Sequence, residues 1–140
     1  MKNNQRKLYG YQATNRAKHN LKVHLILVCK YRKKLLVGNI NKLIKNTIYE
    51  IESKSDFNII EMETDKDHIH IMLQYIPRIS ISSIVNRIKS ITTHRIWKNH
   101  NIYLQKHFWR ENTFWSDGYF ACSIGEASPE TIRNYIANQG

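Results

Sequence analysis

The sequence predicts an α+β fold of the ferredoxin-like, split-βαβ kind, with helices on one face of a sheet and a further, tyrosine-bearing helix at the C-terminus. Strand-like segments and two long helical patterns follow each other in the order βαββαβ, and a proline-led helix start comes after the last strand. The 140 residues suffice for one ordinary core. We therefore expect residues 1–140 to form a single domain, with residues 1–20 as a basic N-terminal arm.

In four segments, successive side chains can be assigned to two alternating faces, as in β-strands. In the first, His24, Ile26 and Val28 share one face and leucine, valine and cysteine occupy the other. Two mainly apolar faces are typical of a central strand. A tight turn at 65–67 joins the second strand to the third, which Pro77 ends because proline cannot donate to the ladder. The predicted strands are 21–29, 57–64, 68–76 and 114–124, the last interrupted at 117–118.

Three segments have helical signals. Apolar residues recur from Ile40 to Ile51 at i, i+3, i+4, i+7, i+8 and i+11, which predicts one buried helix face. Ser128 precedes a proline and a glutamate, a sequence typical of a helix N-terminus. A polar and aromatic connection is predicted over 99–113. The predicted helices begin at Gly38, at Ser80 or Ser82, and at Ser128, and they end near Ile51, near Lys98 and at Gln139.

The formal net charge of +11 is distributed unevenly. Basic residues without a single acid precede Glu50, most acids lie between Glu50 and Asp67, and residues 68–110 again carry bases without acids. This uneven charge gives the protein a directional electrostatic field, which favours nucleic acid as the partner. An anionic membrane surface is the weaker alternative, because no basic tract forms an aromatic-faced amphipathic helix. No apolar stretch has the length of a membrane span, and no signal peptide is recognisable, so we expect a cytoplasmic protein.

Two pairs of polar residues are candidates for chemistry. His68 and His70 leave the same face of a strand, roughly 7 Å apart, and could supply half of a divalent-metal site. Tyr135 and Gln139 are neighbours on a helix, so a phenol nucleophile and an amide ligand could lie together. A metal beside a tyrosine suggests phosphoryl transfer through a phosphotyrosine. The alternatives are two polar histidines on a half-exposed strand and a tyrosine that only packs.

Four stretches in this order resemble the single-tyrosine HUH transposases of the insertion-sequence 200/605 family. They are VHLILVCKYRKK, IIEMETDKDHIHIML, FWSDGYFACSIG and YIANQ, which together extend from about residue 20 to residue 139. HUH denotes His-hydrophobic-His, matched by His68-Ile69-His70, and the downstream Tyr-x₃-Gln is matched by Tyr135 and Gln139. The combination is specific, whereas either part alone is weak.

The resemblance implies a prokaryotic, nucleoid-associated homodimer that cleaves and rejoins single-stranded DNA at insertion-sequence ends and recognises subterminal imperfect hairpins. It implies that Tyr135 is the nucleophile of a 5′-phosphotyrosine intermediate. It also implies that His68, His70 and Gln139 bind Mg²⁺ or Mn²⁺, without a nucleotide cofactor. In some members the tyrosine helix packs beside the histidines of the other subunit. Many members continue past the position of Gln139 with a basic helix or tail.

Further basic residues are candidates for phosphate contacts, with solvated side chains as the alternative. They are Lys30, Arg32, Lys33, Lys34, Arg87 and Lys89. Two other functions fit parts of the pattern. One is a non-catalytic, ferredoxin-like nucleic-acid-binding protein, although His68, His70 and Met72 would make a poor stacking surface. The other is a replication-initiator or relaxase-like HUH nuclease, whose tyrosine and histidines often come in another order.

Overall fold

The structure, a computed structural model, describes residues 12–13, 18–123 and 128–139. The element order confirms the predicted βαββαβ fold with one terminal helix. The elements are β1 (Leu21–Val28), α1 (Gly38–Ser53), β2 (Phe57–Thr64), β3 (His68–Tyr75), α2 (Ile81–Gln105), β4 (Phe120–Ser123) and α3 (Pro129–Ala137). A 3₁₀ turn covers Lys30–Arg32, and Gln12–Ala13 pairs with Lys18–His19. Residues 1–11 and 14–17 of the predicted arm lie outside the described residues.

The four strands form one antiparallel sheet in the order β2-β3-β1-β4. β1 lies inside the sheet, between β3 and β4, and its residues from Leu25 to Val28 are almost completely buried. This confirms the central strand that its two apolar faces predicted. The register places Ile26 opposite His70 and Val28 opposite His68.

The helices divide between the two faces of the sheet. Ile44 and Ile48 of α1 and Ile88 of α2 are fully buried in the main core, together with Leu25 and Ile71 of the sheet. Ile136 of α3 instead forms a second cluster with Ile26 and Val28. Because successive strand residues point to opposite faces, α3 covers the side of β1 that α1 and α2 leave open. None of the described helices is long and apolar enough to cross a bilayer.

The predicted helix starts are confirmed at two serines. The Ser80 hydroxyl accepts a hydrogen bond from the Ser83 backbone N–H at 3.1 Å, and Ser128 caps α3 through the Thr131 N–H at the same distance. A cap of this kind satisfies one of the backbone donors that a helix N-terminus leaves without an intrahelical partner. Ser128 therefore fixes where the tyrosine-bearing helix begins.

The predicted end of α2 near Lys98 is wrong. α2 continues to Gln105 through a break at His100 (φ −135°, ψ 30°), so 99–105 belong to the helix. Its last turn is retained because Leu104 is fully buried in the core, with Phe108 just beyond it. Tertiary burial thus extends a segment whose polar composition favoured a loop.

The predicted fourth strand is divided as expected around Gly118. Trp115 forms an isolated bridge with Cys29, and the regular strand β4 begins only at Phe120. Gly118 has φ +78°, a conformation that side-chain-bearing residues rarely adopt. Ser116 precedes the interruption and is held at the end of β1, where its backbone N–H donates to the Val28 carbonyl at 2.8 Å.

Candidate active site

Three histidines lie on the sheet face that α3 covers. His68 and His70 alternate with the fully buried Ile69 and Ile71 on β3, and their ring centroids are 4.9 Å apart. The β1 residue His24 is on the same face, with its ring centroid 5.2 Å from that of His70. The buried isoleucines anchor the opposite face of β3, so the two imidazoles have a fixed direction.

Each imidazole of the His-x-His pair has a hydrogen-bonding neighbour at Nδ1. His68 Nδ1 is 2.7 Å from Asp67 Oδ1, and His70 Nδ1 is 3.1 Å from His24 Nε2. A ring engaged through Nδ1 can present Nε2 to a metal ion. Each Nε2 of the pair could therefore coordinate a metal ion when the ring proton is on Nδ1.

Burial keeps two of the three imidazoles neutral. Desolvation, followed by the nearby His68 and His24 rings, lowers the pKa of His70 from 6.5 to about 4. Desolvation also lowers the pKa of His24. A metal ligand must be the neutral imidazole, so His70 needs no deprotonation to coordinate at neutral pH.

Tyr135 lies on α3, beside this face. Its ring centroid is 5.5 Å from that of Phe120 on β4, and the side chain packs on the cluster of Ile26, Val28 and Ile136. Ile26 and Val28 pair with His70 and His68, so the cluster on which Tyr135 packs includes the two β1 residues beside the histidine pair. Burial raises the pKa of the phenol, which therefore stays protonated at neutral pH.

Gln139 is held by the segment that leads into β4. The Ser116 hydroxyl donates to Gln139 Oε1 at 3.1 Å, and the Ser116 backbone N–H donates to the Val28 carbonyl at 2.8 Å. Val28 is the β1 partner of His68. The amide oxygen keeps a second lone pair, which is sufficient for a ligand role. These contacts join Gln139 to the strand beside the histidine pair.

The donor set is consistent with a divalent cation that accepts nitrogen and oxygen ligands. Among residues 18–123 and 128–139, no three His, Cys, Asp or Glu side chains form a group that could hold a metal. Two imidazoles consequently need an oxygen from another residue type, and the Gln139 amide is the one that the sequence predicts. Mg²⁺ and Mn²⁺ both accept such oxygen donors.

The predicted phosphate-binding residues have neighbours within the protein. Lys30 is 3.3 Å from Glu111, Arg32 is 3.6 Å from Asp67, and the Lys33 ammonium is 5.9 Å from the Phe108 ring centroid. Arg87 donates to the Ser55 hydroxyl. Lys34 is exposed. Most of these pairs are at the surface and would exchange readily for phosphate, so their role in DNA binding stays a prediction.

Lys89 differs from the other basic candidates. Its ammonium is half-buried and donates to the Ser116 carbonyl at 2.9 Å and to the Gly118 carbonyl. Burial lowers the pKa of this ammonium. The contacts fix the turn that carries Ser116, so Lys89 supports the segment that holds Gln139.

We expect Lys89→Met to lower the free energy of unfolding by about 1–2 kcal/mol, because two carbonyls lose a charged donor at a half-exposed site. Chemical denaturation measures this directly. Lys42→Met, at an exposed position of α1, is the control and should leave stability nearly unchanged. Equal stability of the two variants would contradict the supporting role of Lys89.

Sequence reasoning did not assign Asp67 and Ser116 to the site, and it left His24 without a role. Asp67 precedes His68 in a turn, and the contact of its carboxylate with the His68 ring is visible only in the folded structure. His24 could have been placed by combining strand alternation with the β3-β1 pairing. Ser116 had no signal, because its contact with Gln139 joins two segments that are distant in sequence.

Comparison with known proteins identifies relatives over most of the chain. A sequence profile described as "Transposase IS200 like" matches residues 17–139. The ISDra2 transposase TnpA of Deinococcus radiodurans is 28% identical over 121 residues, which cover 86% of this chain and 85% of that protein. The transposase for insertion sequence element IS200 of Salmonella typhimurium is 26% identical over 120 residues, covering 86% and 77%.

Two solved structures have the same fold. The crystal structure of a transposase candidate from Deinococcus radiodurans R1 has a TM-score of 0.83 and 23% identity, covering 91% of this chain and 97% of that one. The structure of a REP-associated tyrosine transposase bound to a REP hairpin has a TM-score of 0.55 and 12% identity, covering 89% and 68%. At these identities the similarity establishes the fold, as the sequence predicted.

Proposed function

The chain belongs to the IS200-like transposase family, and on that basis we propose that it cleaves and rejoins single-stranded DNA through a covalent 5′-phosphotyrosine at Tyr135. The observation that carries the proposal is the packing of Tyr135 on the cluster of Ile26, Val28 and Ile136, because Ile26 and Val28 are the β1 partners of His70 and His68. This packing of α3 on the β1 neighbours of the HUH pair supports Tyr135 as the proposed nucleophile. Neither α3 nor β3, taken alone, shows whether its tyrosine or histidines serve catalysis or only packing.

The proposed reaction is a transesterification. The Tyr135 oxygen attacks the scissile phosphorus, a phenol O–P bond forms, and the P–O3′ bond breaks. The phenolic proton is lost, and the leaving 3′-oxygen takes up a proton. One phosphodiester replaces another, so a 3′-hydroxyl can later attack the phosphotyrosine and reseal the DNA without an energy donor.

The chain's own residues have separate tasks in this reaction. α3 positions the phenol, while His68, His70 and Gln139 would hold Mg²⁺ or Mn²⁺, which when bound would polarise the phosphate and stabilise charge in the transition state. A phenol is protonated at neutral pH even at its ordinary pKa of about 10, and is then a weak nucleophile that needs such help. Burial raises the pKa of Tyr135 further in the same direction. Asp67 and Ser116 orient two of the three proposed ligands.

We propose hairpin-bearing single-stranded DNA as the substrate. The net charge of +11 favours a polyanion, and a relative of the same fold is bound to a REP hairpin. The homodimer implied by the sequence resemblance stays a prediction.

The direct test uses an oligonucleotide that carries a hairpin from the DNA flanking the gene, labelled in turn at each end. With Mg²⁺, a 3′ label should move with the protein on a denaturing gel, whereas a 5′ label should appear on a shorter free strand. This difference follows from attachment of the 5′-phosphate to tyrosine. Tight binding without either product would favour a binding-only protein, and a protein-linked 5′ label would require the opposite polarity.

DNA binding should weaken steeply with salt. Contact with about five phosphates of a single strand gives a slope of roughly −3.5 in log K against log salt concentration. Fluorescence anisotropy over about 50–200 mM salt measures it. Lys34→Gln should reduce the magnitude of the slope by about 0.7, the contribution of one phosphate, with Lys42→Gln on α1 as the matched control. A flat dependence would contradict the predicted role of the basic tracts.

A further inference from the structure

We propose that His24 is a positioning residue that fixes the tautomer and the direction of the His70 ring. The inference deepens the proposed function and rests on it, because its purpose is to make His70 a competent metal ligand. It concerns a residue that neither the HUH pattern nor the tyrosine helix includes. His24 contacts a proposed ligand and not the substrate.

The 3.1 Å contact between His24 Nε2 and His70 Nδ1 allows two proton arrangements. In one, His24 donates and His70 carries its proton on Nε2, so that neither nitrogen of His70 can coordinate a metal. In the other, His70 Nδ1–H donates to His24 Nε2, and the lone pair of His70 Nε2 is available. Only the second arrangement is compatible with the HUH role of His70.

The partner ring is well placed to enforce this arrangement. His24 belongs to the central strand β1, where it is flanked by the buried Val23 and Leu25 and pairs with Met72. The backbone around it therefore has little freedom to move. With its own proton on Nδ1, neutral His24 offers Nε2 only as an acceptor, so a single hydrogen bond fixes both the His70 proton and the ring rotation.

His68 and His70 each have a hydrogen-bonding neighbour at Nδ1, but the neighbour is a carboxylate for His68 and an imidazole for His70. Asp67 Oδ1 is 2.7 Å from His68 Nδ1, and a carboxylate can only accept. His24 is the corresponding neighbour of His70, but an imidazole can accept or donate. The structure thus predicts that a side chain at position 24 supports metal binding only when it can accept a hydrogen bond.

The surroundings of His24 leave room for substitution. His24 and His70 line a cavity of about 120 Å³ together with Met72 and two carboxylates of β2, Glu61 and Glu63. Glutamine can place its Oε1 near the position of His24 Nε2 and accept the same hydrogen bond. Leucine fills a similar volume without an acceptor. Met72→Leu changes the lining of the same cavity and removes no polar group, so it is the matched control.

The first experiment uses the metal-free protein with ¹⁵N-labelled histidine at a pH where the imidazoles are neutral. Long-range ¹H–¹⁵N spectra, assigned with His70→Gln, show which His70 nitrogen carries the proton. We expect Nδ1–H in the wild type, in His24→Gln and in Met72→Leu, and a mixture of tautomers in His24→Leu. A His70 proton on Nε2 in the wild type, or an unchanged tautomer in His24→Leu, would overturn the proposal.

The second experiment measures Mn²⁺ affinity by calorimetry or electron paramagnetic resonance. Loss of an outer hydrogen bond typically weakens metal binding by about 10–100-fold. We expect that loss in His24→Leu and a change below about threefold in His24→Gln. Equal losses in both would indicate direct ligation by His24 and reject the positioning role. Absence of Mn²⁺ binding in the wild type would instead reject the proposed metal site, while the tautomer measurement still decides the role of His24.

Discussion

Tyr135→Phe is expected to abolish the covalent protein–DNA adduct while binding of hairpin DNA is retained. Phenylalanine keeps the ring that packs on Phe120 and on the cluster of Ile26, Val28 and Ile136, so α3 should stay docked. Only the phenolic oxygen, the proposed nucleophile, is lost. Because loss of a nucleophile removes the covalent step itself, we expect cleavage to fall by at least about 10³-fold, as measured by single-turnover cleavage of labelled DNA.

Tyr119→Phe is the matched control for this change. Tyr119 is half-buried, and it packs against the main core rather than against the α3 cluster. The Tyr119→Phe variant should cleave DNA at close to the wild-type rate. Full adduct formation by Tyr135→Phe would place the nucleophile elsewhere, and loss of hairpin binding would show that the phenol serves recognition as well as catalysis.

His70→Ala is expected to remove both Mn²⁺ binding and metal-dependent cleavage. The variant deletes one of the two proposed nitrogen ligands, and Gln139 with His68 alone is a poor site. We expect cleavage to fall by roughly 10²–10⁴-fold, the order of several kcal/mol of transition-state stabilisation. Titration of cleavage rate against Mn²⁺, beside calorimetry, separates weakened binding from slower chemistry.

His94→Ala provides the control for losing an imidazole. His94 is exposed on α2, which packs on the opposite face of the sheet from the histidine pair. Its substitution should change neither Mn²⁺ affinity nor cleavage. Wild-type cleavage by His70→Ala in Mg²⁺ would contradict the metal assignment, whatever the result for Tyr135.

The sequence predicted the fold because its strands and helices have strong periodicity. β1 with two apolar faces, the stripe of α1 and the serine cap of α3 are local signals, and each appears in the structure. The end of α2 was wrong because Leu104 is buried through contacts with residues that are distant in sequence. Local polarity around His100 could not reveal that burial.

The site residues that lie on a single element or in a single motif could be predicted from the sequence. Strand alternation alone places His68 and His70 on one face, and the downstream motif identified Tyr135 and Gln139. The supporting contacts were not predictable, since His24–His70 and Ser116–Gln139 each join separate elements. Lys89 shows the same limit. Its role in DNA binding stays a prediction, while the hydrogen bonds from its ammonium to two backbone carbonyls could not be read from the sequence.

Peptide mapping of the covalent adduct tests most directly whether Tyr135 is the nucleophile. The protein is incubated with hairpin-bearing single-stranded DNA and Mg²⁺, digested with protease and nuclease, and analysed by mass spectrometry. We expect a nucleotide 5′-phosphate on the peptide that contains Tyr135, and no such adduct when EDTA replaces Mg²⁺. An adduct on another residue, or one that forms equally well in EDTA, would contradict it.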